Sequence, residues 1–406
     1  MLSSTKRDAL FYATLIFLAI GYFSYSIDRY AFAFLVPNIA KALAMPLAVS
    51  GLLGTIFLWG QLGAATPAGL FMGKYGYKYT LSIGIGIATL GIFLTGIAQD
   101  ASLIVLARIV TGIGEAFWNV AIVLTLANLF AGHKGSGVGL SQNFFGLGLF
   151  FGPVLGGYIL SSTGDWRSVF YVFALIGTLG TVLVLFGVKR KRVDESKTME
   201  VASAAPTVSK KEVLRNWRMY VPVALFALYE IGFWSWTVSV STYLQKALSF
   251  DPKTAGFLAG ADGLTILALS WLAGYYGDRF GRRTAFLTGG VIQGLMGILA
   301  YSITSSFWVF LVWALIFGFF SIMIYINIFA YIADHFDKAT SGFVTGVTFT
   351  VGLLFAGYIG FVMFDFKALY GWSIAATALI GVSSFVLAGL GGALGSGRPM
   401  KTGVKA

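Results

Sequence analysis

Long apolar runs are the feature that most limits how this chain of 406 residues can fold. Hydrophobic residues make up 57% of the chain and charged residues 11%, whereas soluble domains carry about 25% charged residues. A run of about twenty apolar residues is long enough to cross a bilayer as a helix. Twelve such runs lie between the turn and charge clusters, at residues 9–36, 50–72, 79–98, 102–130, 136–160, 166–188, 219–246, 253–276, 284–303, 307–335, 340–364 and 370–394. The sequence therefore predicts an all-α integral membrane protein with twelve transmembrane helices.

One long polar segment, residues 189–218, separates the sixth predicted helix from the seventh. We therefore predict an N-terminal six-helix bundle at residues 1–188, a cytoplasmic linker at 189–218 and a C-terminal six-helix bundle at 219–406. The first ten residues, "MLSSTKRDAL", contain no small-residue cleavage site and are predicted to begin a retained first helix.

Lysine and arginine are distributed unevenly between the two predicted faces. Of the 28 Lys and Arg residues, Arg29 and Arg108 lie inside predicted spans. Five lie on one face, at Lys41, Arg167, Lys246, Lys253 and Lys367, and all the others lie on the opposite face. Because cytoplasmic loops carry the excess of positive charge, both termini and the linker are predicted to be cytoplasmic, in a plasma (inner) membrane. This distribution favours a lipid bilayer over nucleic acid as the partner of the basic residues.

The sequence offers little for enzymatic chemistry. The chain has no cysteine, which excludes disulfides and thiolate metal sites. Its two histidines, His133 and His335, are far apart in sequence and lie in predicted loops. The sequence contains no phosphate-binding loop. We expect no catalytic site, no metal, no cofactor and no drive by ATP.

Two similar loops form an internal repeat. Residues 69–81 read "GLFMGKYGYKYTL" and residues 274–287 read "GYYGDRFGRRTAFL", and each stretch follows the second helix of its half. Two homologous halves are typical of repeat-built transporters, whose substrate site lies between the halves near the membrane midplane.

The second loop has the pattern Gly-x-x-x-Asp-x-x-Gly-x-Arg, from Gly274 to Arg283, and it resembles the loop motif of the major facilitator superfamily. In the first loop Gly73 stands at the aspartate position. The resemblance implies a twelve-helix transporter with a cytoplasmic latch that holds the outward-open state, formed here by Gly73, Lys78, Asp278, Arg279 and Arg283. Glycine at position 73 is expected to weaken the latch. Either the protein favours inward opening, or a substitution has replaced an aspartate there.

Ionisable residues inside the predicted spans are candidate functional residues, because a charge at bilayer depth costs at least a few kcal/mol. A buried ion pair that only stabilises packing is the alternative. These residues are Asp28, Arg29, Arg108, Glu115, Glu230 and Asp262.

The helical rise places Asp28 roughly 12 Å and Arg108 roughly 8 Å from the outer surface, so we predict that they form an ion pair. Adjacent residues point about 100° apart, which leaves Arg29 free to face the cavity and bind a carboxylate. Glu115 is predicted to have no basic residue at its level and to titrate near neutrality, as a proton-coupling site requires. Glu230 and Asp262 are predicted to be similarly isolated.

The stretch "RIVTGIGEAFWN", residues 108–119, and the Asp28-Arg29 pair resemble the anion:cation symporter branch of this superfamily. The resemblance implies that Arg29 binds the substrate carboxylate and that Asp28 and Glu115 carry the coupling protons. Gln142 and Asn143 fall where that branch places polar groups that contact substrate. The expected function is proton-coupled symport of a carboxylate or sugar acid, by a protein that we expect to be a monomer.

A glycine pattern in the fifth predicted helix, residues 136–160, indicates an alternative function. Residues 139–157 contain the pattern Gly-x8-Gly-x3-Gly-Pro-x2-Gly-Gly, which is often found in drug:proton antiporters. The acids in the second half, Glu230 and Asp262, also suit a cationic substrate. Drug or organic-cation:proton antiport is therefore an alternative, and lipid transport on the same fold is a second one. Tyr25, Tyr229 and Trp234 are candidates for lining the cavity, with packing or an interfacial aromatic belt as the other interpretation.

Overall fold

The computed structural model describes residues 4–129, 134–188, 215–302, 306–336 and 338–394, and these residues are almost entirely helical. The all-α prediction is confirmed for this part of the chain. Residues 189–214, which make up most of the predicted linker, lie outside the described residues. We refer to residues 4–188 as the N-terminal part and to residues 215–394 as the C-terminal part.

The N-terminal part contains seven helices in the ranges that the structure describes. They are α1 (Ser4–Ala42), α2 (Leu47–Thr55), α3 (Phe57–Tyr75), α4 (Tyr77–Ile97), α5 (Ala101–Leu129), α6 (Lys134–Thr163) and α7 (Arg167–Gly187). A break at Ile56 separates α2 from α3. Together the two helices form one candidate span from Leu47 to Tyr75. Gly76 ends α3 with a φ of 84°, a left-handed backbone conformation that glycine adopts without steric cost.

The C-terminal part begins with a short 3₁₀ helix, Trp217–Met219. Its α-helices are α8 (Tyr220–Thr242), α9 (Pro252–Phe280), α10 (Arg282–Ser302), α11 (Phe307–His335), α12 (Lys338–Tyr370), α13 (Trp372–Ala376) and α14 (Ser383–Ala393). A π-helical segment, Thr377–Val382, joins α13 to α14. Gly281 ends α9 with a φ of 89°, at the place in the second repeat that Gly76 occupies in the first. The repeat in the sequence thus corresponds to a repeated turn.

Eleven helical stretches of the described chain are long and apolar enough to cross a membrane. They correspond to eleven of the twelve predicted runs. The helix α1, which carries Asp28, Arg29 and Lys41, is not among the eleven. It also extends to Ala42, beyond the predicted end near Val36, with Pro37 inside the helix. Proline removes one backbone hydrogen bond and can bend a helix without ending it.

The N-terminal and C-terminal parts meet most closely where α6 packs against α9. A Cβ atom on Gly157 would lie 2.3 Å from the carbonyl oxygen of Pro252, and a Cβ on Gly256 would lie 2.3 Å from that of Pro153. Only glycine permits this approach of one backbone to the other. Close packing between the two parts therefore explains part of the glycine and proline pattern of residues 139–157, which lie on α6.

Two of the hydrogen bonds between the two parts lie on the same side of the molecule. Thr55 Oγ1 donates to the carbonyl oxygen of Gly357 at 2.9 Å, and Ser241 Oγ donates to that of Phe34 at 2.9 Å. These two bonds and the close approach of Gly157 and Gly256 lie toward the end that carries the connections at residues 43–46, 164–166 and 248–251. We call this the sealed end.

We expect Gly157→Leu to open the sealed end, because its side chain cannot fit against the backbone at Pro252. The chain has no cysteine, so Ser241→Cys introduces a single thiol at a position that is fully buried. A membrane-impermeant maleimide should label this thiol slowly alone and several-fold faster with Gly157→Leu. Gly69→Leu is the matched control, since nothing lies within 4 Å of a Cβ at Gly69. Equal labelling of all three proteins would contradict the role assigned to Gly157.

Candidate functional site

The charged residues of α1 and α5 meet in the buried interior of the N-terminal part. Asp28 and Arg29 are adjacent on α1, while Arg108 and Glu115 are seven residues apart on α5 and therefore share one face of that helix. The two residues on α1 point about 100° apart, so each contacts a different level of α5.

Asp28 and Arg108 form the first ion pair. Arg108 Nη1 donates to Asp28 Oδ2 at 2.6 Å, and neither side chain is exposed. The guanidinium carbon of Arg108 also lies 4.4 Å from the ring centre of Phe32 and 4.9 Å from that of Phe57. The predicted Asp28–Arg108 pair is confirmed, although α1 ends later than the depth estimate assumed.

Arg29 and Glu115 form the second ion pair, which the sequence did not predict. Arg29 Nη2 donates to Glu115 Oε2, and Arg29 Nε lies 3.4 Å from Glu115 Oε1. The predictions that Glu115 has no basic partner and that Arg29 is free were therefore wrong. The prediction assumed that each charged group lies at the same depth as its own Cα atom. The long side chain of Arg29 instead extends along the membrane normal to Glu115, which lies at a different depth.

Gln61 of α3 completes this second pair by donating its side-chain amide to Glu115 Oε2. Gln61 was not among the predicted site residues. In the sequence, Gln61 is the one side-chain amide in the apolar run "FLWGQLGAA". An unpaired polar group there would be costly, so a hydrogen-bond partner could have been expected. Glu115 is thus held by a cation on one side and a neutral donor on the other.

The two arginines differ in accessibility. The side chain of Arg29 is 9% exposed, whereas that of Arg108 is fully buried. Arg29 also lies with its guanidinium carbon 5.1 Å from the ring centre of Phe57. A ligand that enters the interior could therefore reach Arg29 but not Arg108.

Tyr25 and Asn143, two residues predicted to contact substrate, form hydrogen bonds to different partners. Tyr25 is fully buried, and its hydroxyl donates to Asn119 Oδ1 at 2.9 Å. Asn143 of α6 accepts a hydrogen bond from Ser270 Oγ of α9 at 2.6 Å, so it joins the two parts of the chain. The side chain of Gln142 lies outside the described residues.

Two buried carboxylates lie in the C-terminal part. Glu230 Oε2 accepts a hydrogen bond from Trp234 Nε1 at 2.9 Å. Asp262 accepts from Trp236 Nε1 at 3.2 Å and from the backbone N–H of Gly263 at 2.8 Å. Within the described ranges neither carboxylate forms an ion pair.

Aromatic rings connect the two parts between Arg29 and Glu230. Trp234 stacks on Tyr30, with ring centres 6.2 Å apart and an interplanar angle of 7°, and meets Phe57 edge-on at 5.5 Å. Tyr229 stacks on Phe233 at 5.6 Å. Tyr229 and Trp234 are 3% and 2% exposed, so both are packed residues in this conformation.

The loop motif of the C-terminal part forms a charge network around Arg282. This residue contacts Asp278 at 2.6 Å, Asp334 at 3.0 Å and Asn327 Oδ1 at 2.9 Å. Arg279 and Arg283, rather than Arg282, were the arginines predicted for the latch in this loop. Arg282 is the first residue of α10, and the turn at Gly281 brings its side chain back to Asp278 near the end of α9.

Arg279 donates to the hydroxyl of Tyr275 at 2.8 Å, and Arg283 forms no ion pair among the described side chains. In the first repeat, Gly73 is exposed, with open space around the position of a Cβ atom. Lys78 is partly buried. An aspartate would therefore fit at position 73 without a steric clash.

A family model described as Major Facilitator Superfamily matches residues 18–356. The chain is 27% identical over 293 residues to a probable 4-methylmuconolactone transporter of Cupriavidus pinatubonensis, covering 70% of this chain and 65% of that protein. The matched region therefore spans just under two thirds of that relative.

Two further relatives are named as transporters. A probable sulfoacetate transporter, SauU, of Cupriavidus necator is 26% identical, with 71% of each chain covered. The riboflavin transporter RibZ of Clostridioides difficile is 24% identical, with 75% of this chain and 76% of the relative covered.

We expect Asp28→Asn to lower the free energy of unfolding by about 3–5 kcal/mol, because it leaves Arg108 charged, buried and unpaired. Thermal unfolding of the purified protein in detergent, followed by tryptophan fluorescence, measures this change. Adding Arg108→Met to Asp28→Asn should restore part of the lost stability. If the double variant unfolds at the same temperature as the single variant or at a lower one, the unpaired charge is not the cause of the lost stability.

The control for this prediction is the exposed pair of Asp165 and Arg167, whose charged atoms lie 3.9 Å apart. Asp165→Asn should change the unfolding free energy by less than about 1 kcal/mol, since solvent screens exposed pairs.

Proposed function

The chain belongs to the major facilitator superfamily, and we propose that it is a proton-coupled secondary transporter that carries a small organic anion by alternating access. The observation that carries this proposal is the Arg29–Glu115 pair with its Gln61 donor, because it joins an anion-binding group to a protonatable one. Relatives named as probable transporters of 4-methylmuconolactone and sulfoacetate support an organic anion as the cargo.

The coupling mechanism follows from charge balance at Arg29. While Glu115 is ionised, it neutralises the guanidinium and competes with any other carboxylate. Protonation of Glu115 removes that competitor, and Arg29 then binds the substrate carboxylate through its planar fork. Proton and anion therefore enter together, and the buried site stays close to neutral throughout the cycle. Gln61 keeps a hydrogen-bonding partner for Glu115 in either protonation state.

The pair of Asp28 and Arg108 has a supporting role in this mechanism. Both side chains are fully buried and contact each other directly, so the pair holds α1 and α5 at one height and orients Arg29. Protonation of either acid breaks its ion pair, but only Arg29, which is partly exposed, could then bind an entering anion in place of its acid. We therefore assign the coupling proton to Glu115 rather than to Asp28. Asn143, Tyr229 and Trp234 are the remaining candidates for contact with the substrate.

The architecture proposed for transport is two pseudo-symmetric six-helix bundles, residues 1–188 and 219–406, joined by a cytoplasmic linker at 189–218. The helix α1 is the twelfth span, and its buried charges are compensated by α5. With both termini cytoplasmic, in the plasma (inner) membrane, the sealed end faces outward. The conformation is then closed to the outside, and the working unit is a monomer.

Antiport of an organic cation against protons is the second candidate function. The observation that favours it is the pair of buried acids, Glu230 and Asp262, which are bonded to neutral N–H donors. A positively charged cargo could balance such carboxylates. The two functions predict opposite directions of flux under one proton gradient.

Proteoliposomes with an imposed inward proton gradient test the proposal. We expect accumulation of at least one organic anion from a panel of sulfoacetate, 4-methylmuconolactone, a monocarboxylate and a sugar acid. Arg29→Ala should reduce uptake to the level of empty liposomes. Glu115→Gln should still bind the anion but lose accumulation against a concentration gradient, because no proton is carried.

Arg167→Ala is the matched control, since this arginine lies on the opposite end of the N-terminal part from the loops of the repeat and is 27% exposed. It should transport normally. Retained substrate affinity in Arg29→Ala would overturn the binding role. Expulsion of a lipophilic cation, with no anion uptake, would favour the antiporter.

We expect Gly73→Asp to shift the protein toward the state in which the sealed end is open, because it restores the acidic residue of the first loop motif. Labelling of the single thiol in Ser241→Cys should become several-fold faster. Gly73→Asn is the control, since it has the same shape without the charge. If the two variants label at the same rate, the charge at position 73 does not set the conformational balance.

A further inference from the structure

A small cavity lies at the sealed end, between the N-terminal and C-terminal parts. Its lining includes two residues from each of α1, α6, α8 and α9, and the polar ones are Tyr30, Thr237, Ser241 and Asp262. The cavity offers about 10 Å³ for the centre of a water-sized sphere. That space is enough for one small occupant and excludes any organic molecule.

The oxygen atoms around the cavity are arranged as acceptors. Thr237 Oγ1 donates its proton to the carbonyl oxygen of Phe233 at 2.8 Å, and Ser241 Oγ donates to that of Phe34 at 2.9 Å. Both hydroxyls therefore have lone pairs, and not protons, left for an occupant. The hydroxyl of Tyr30 is buried and has no hydrogen-bond partner among the described residues, with the residue 1% exposed.

The carboxylate of Asp262 supplies the negative charge of the site. Its two hydrogen bonds come from the neutral N–H groups of Trp236 and Gly263. A carboxylate can accept about four hydrogen bonds, so it has further acceptor capacity. Tyr301, a neighbouring titratable group, shares a hydrogen bond with Ser239 at 2.6 Å. No basic side chain of the described residues forms an ion pair with Asp262.

We propose that this cavity binds one small monovalent cation, Na⁺, through Asp262, Thr237, Ser241 and Tyr30. Hard cations prefer oxygen ligands, and every polar group named here is an oxygen. A single carboxylate balances a single positive charge, which disfavours Ca²⁺ or Mg²⁺. Because Tyr30 belongs to the N-terminal part and the other three ligands to the C-terminal part, the bound ion stabilises the sealed end.

This proposal goes beyond the anion transport proposed above and does not depend on the cargo. The experiment therefore uses the purified full-length protein in detergent, without any organic substrate. The midpoint of thermal unfolding is measured as NaCl replaces choline chloride at constant ionic strength and pH, since choline is too large for the cavity. We expect a saturable rise of the midpoint with Na⁺, because an ion that binds only the folded state stabilises it.

Two variants test the ligands. Asp262→Asn should abolish the response to Na⁺. If that variant fails to fold, Thr237→Val provides the test, because it keeps the carboxylate and removes one ligand, and it should weaken the apparent affinity by about tenfold or more. Thr265→Val is the matched control on α9, since the hydroxyl of Thr265 donates to the carbonyl oxygen of Leu315 and lies outside the cavity.

The proposal is overturned if NaCl and choline chloride have the same effect on the native sequence, or if Asp262→Asn and Thr237→Val keep the full response. A stabilisation that follows pH but not Na⁺ would assign a proton to Asp262 and would also overturn it. A failure of anion transport in proteoliposomes would leave these results unchanged, so the two proposals fail separately.

Discussion

Charge buried away from water is costly unless an opposite charge lies beside it, and this constraint determines how α1 and α5 pack. Asp28 contacts Arg108 while Arg29 contacts Glu115, so two adjacent residues on one helix bind two residues seven apart on the other. A shift of α1 by one turn would leave these charges unpaired. The height and the rotation of α1 are therefore set by charge matching as much as by the shapes of apolar side chains.

Features with a local cause were predicted well from the sequence. Eleven spans follow from runs of apolar residues, and the Asp28–Arg108 pair follows from similar depth and opposite charge. Features that depend on the reach of a side chain were missed. Arg29 extends along the membrane normal to Glu115, and Arg282 rather than Arg283 meets Asp278. Sequence spacing locates backbone atoms, whereas these contacts depend on flexible side chains and on the three-dimensional arrangement of helices.

The two parts of the chain handle buried acids in different ways. In the N-terminal part the buried acids Asp28 and Glu115 each form an ion pair with an arginine, so these buried charges cancel. In the C-terminal part Glu230 and Asp262 meet the indole N–H groups of Trp234 and Trp236, which carry no net charge. The first arrangement releases a cationic site when its acid is protonated. The second leaves a charge that a proton or a cation from outside the chain would balance.

The contact between α6 and α9 has a consequence for the rate of conformational exchange. At Gly157 and Gly256 the two backbones meet with no side chain between them, whereas Phe150 and Phe257 meet edge-on elsewhere along the same two helices. In the proposed transport cycle, a rotation of one part against the other would therefore need no rotamer change at Gly157 and Gly256. The barrier in that cycle would then depend on the other contacts at the sealed end, such as the hydrogen bond from Ser241 to Phe34, which would have to break.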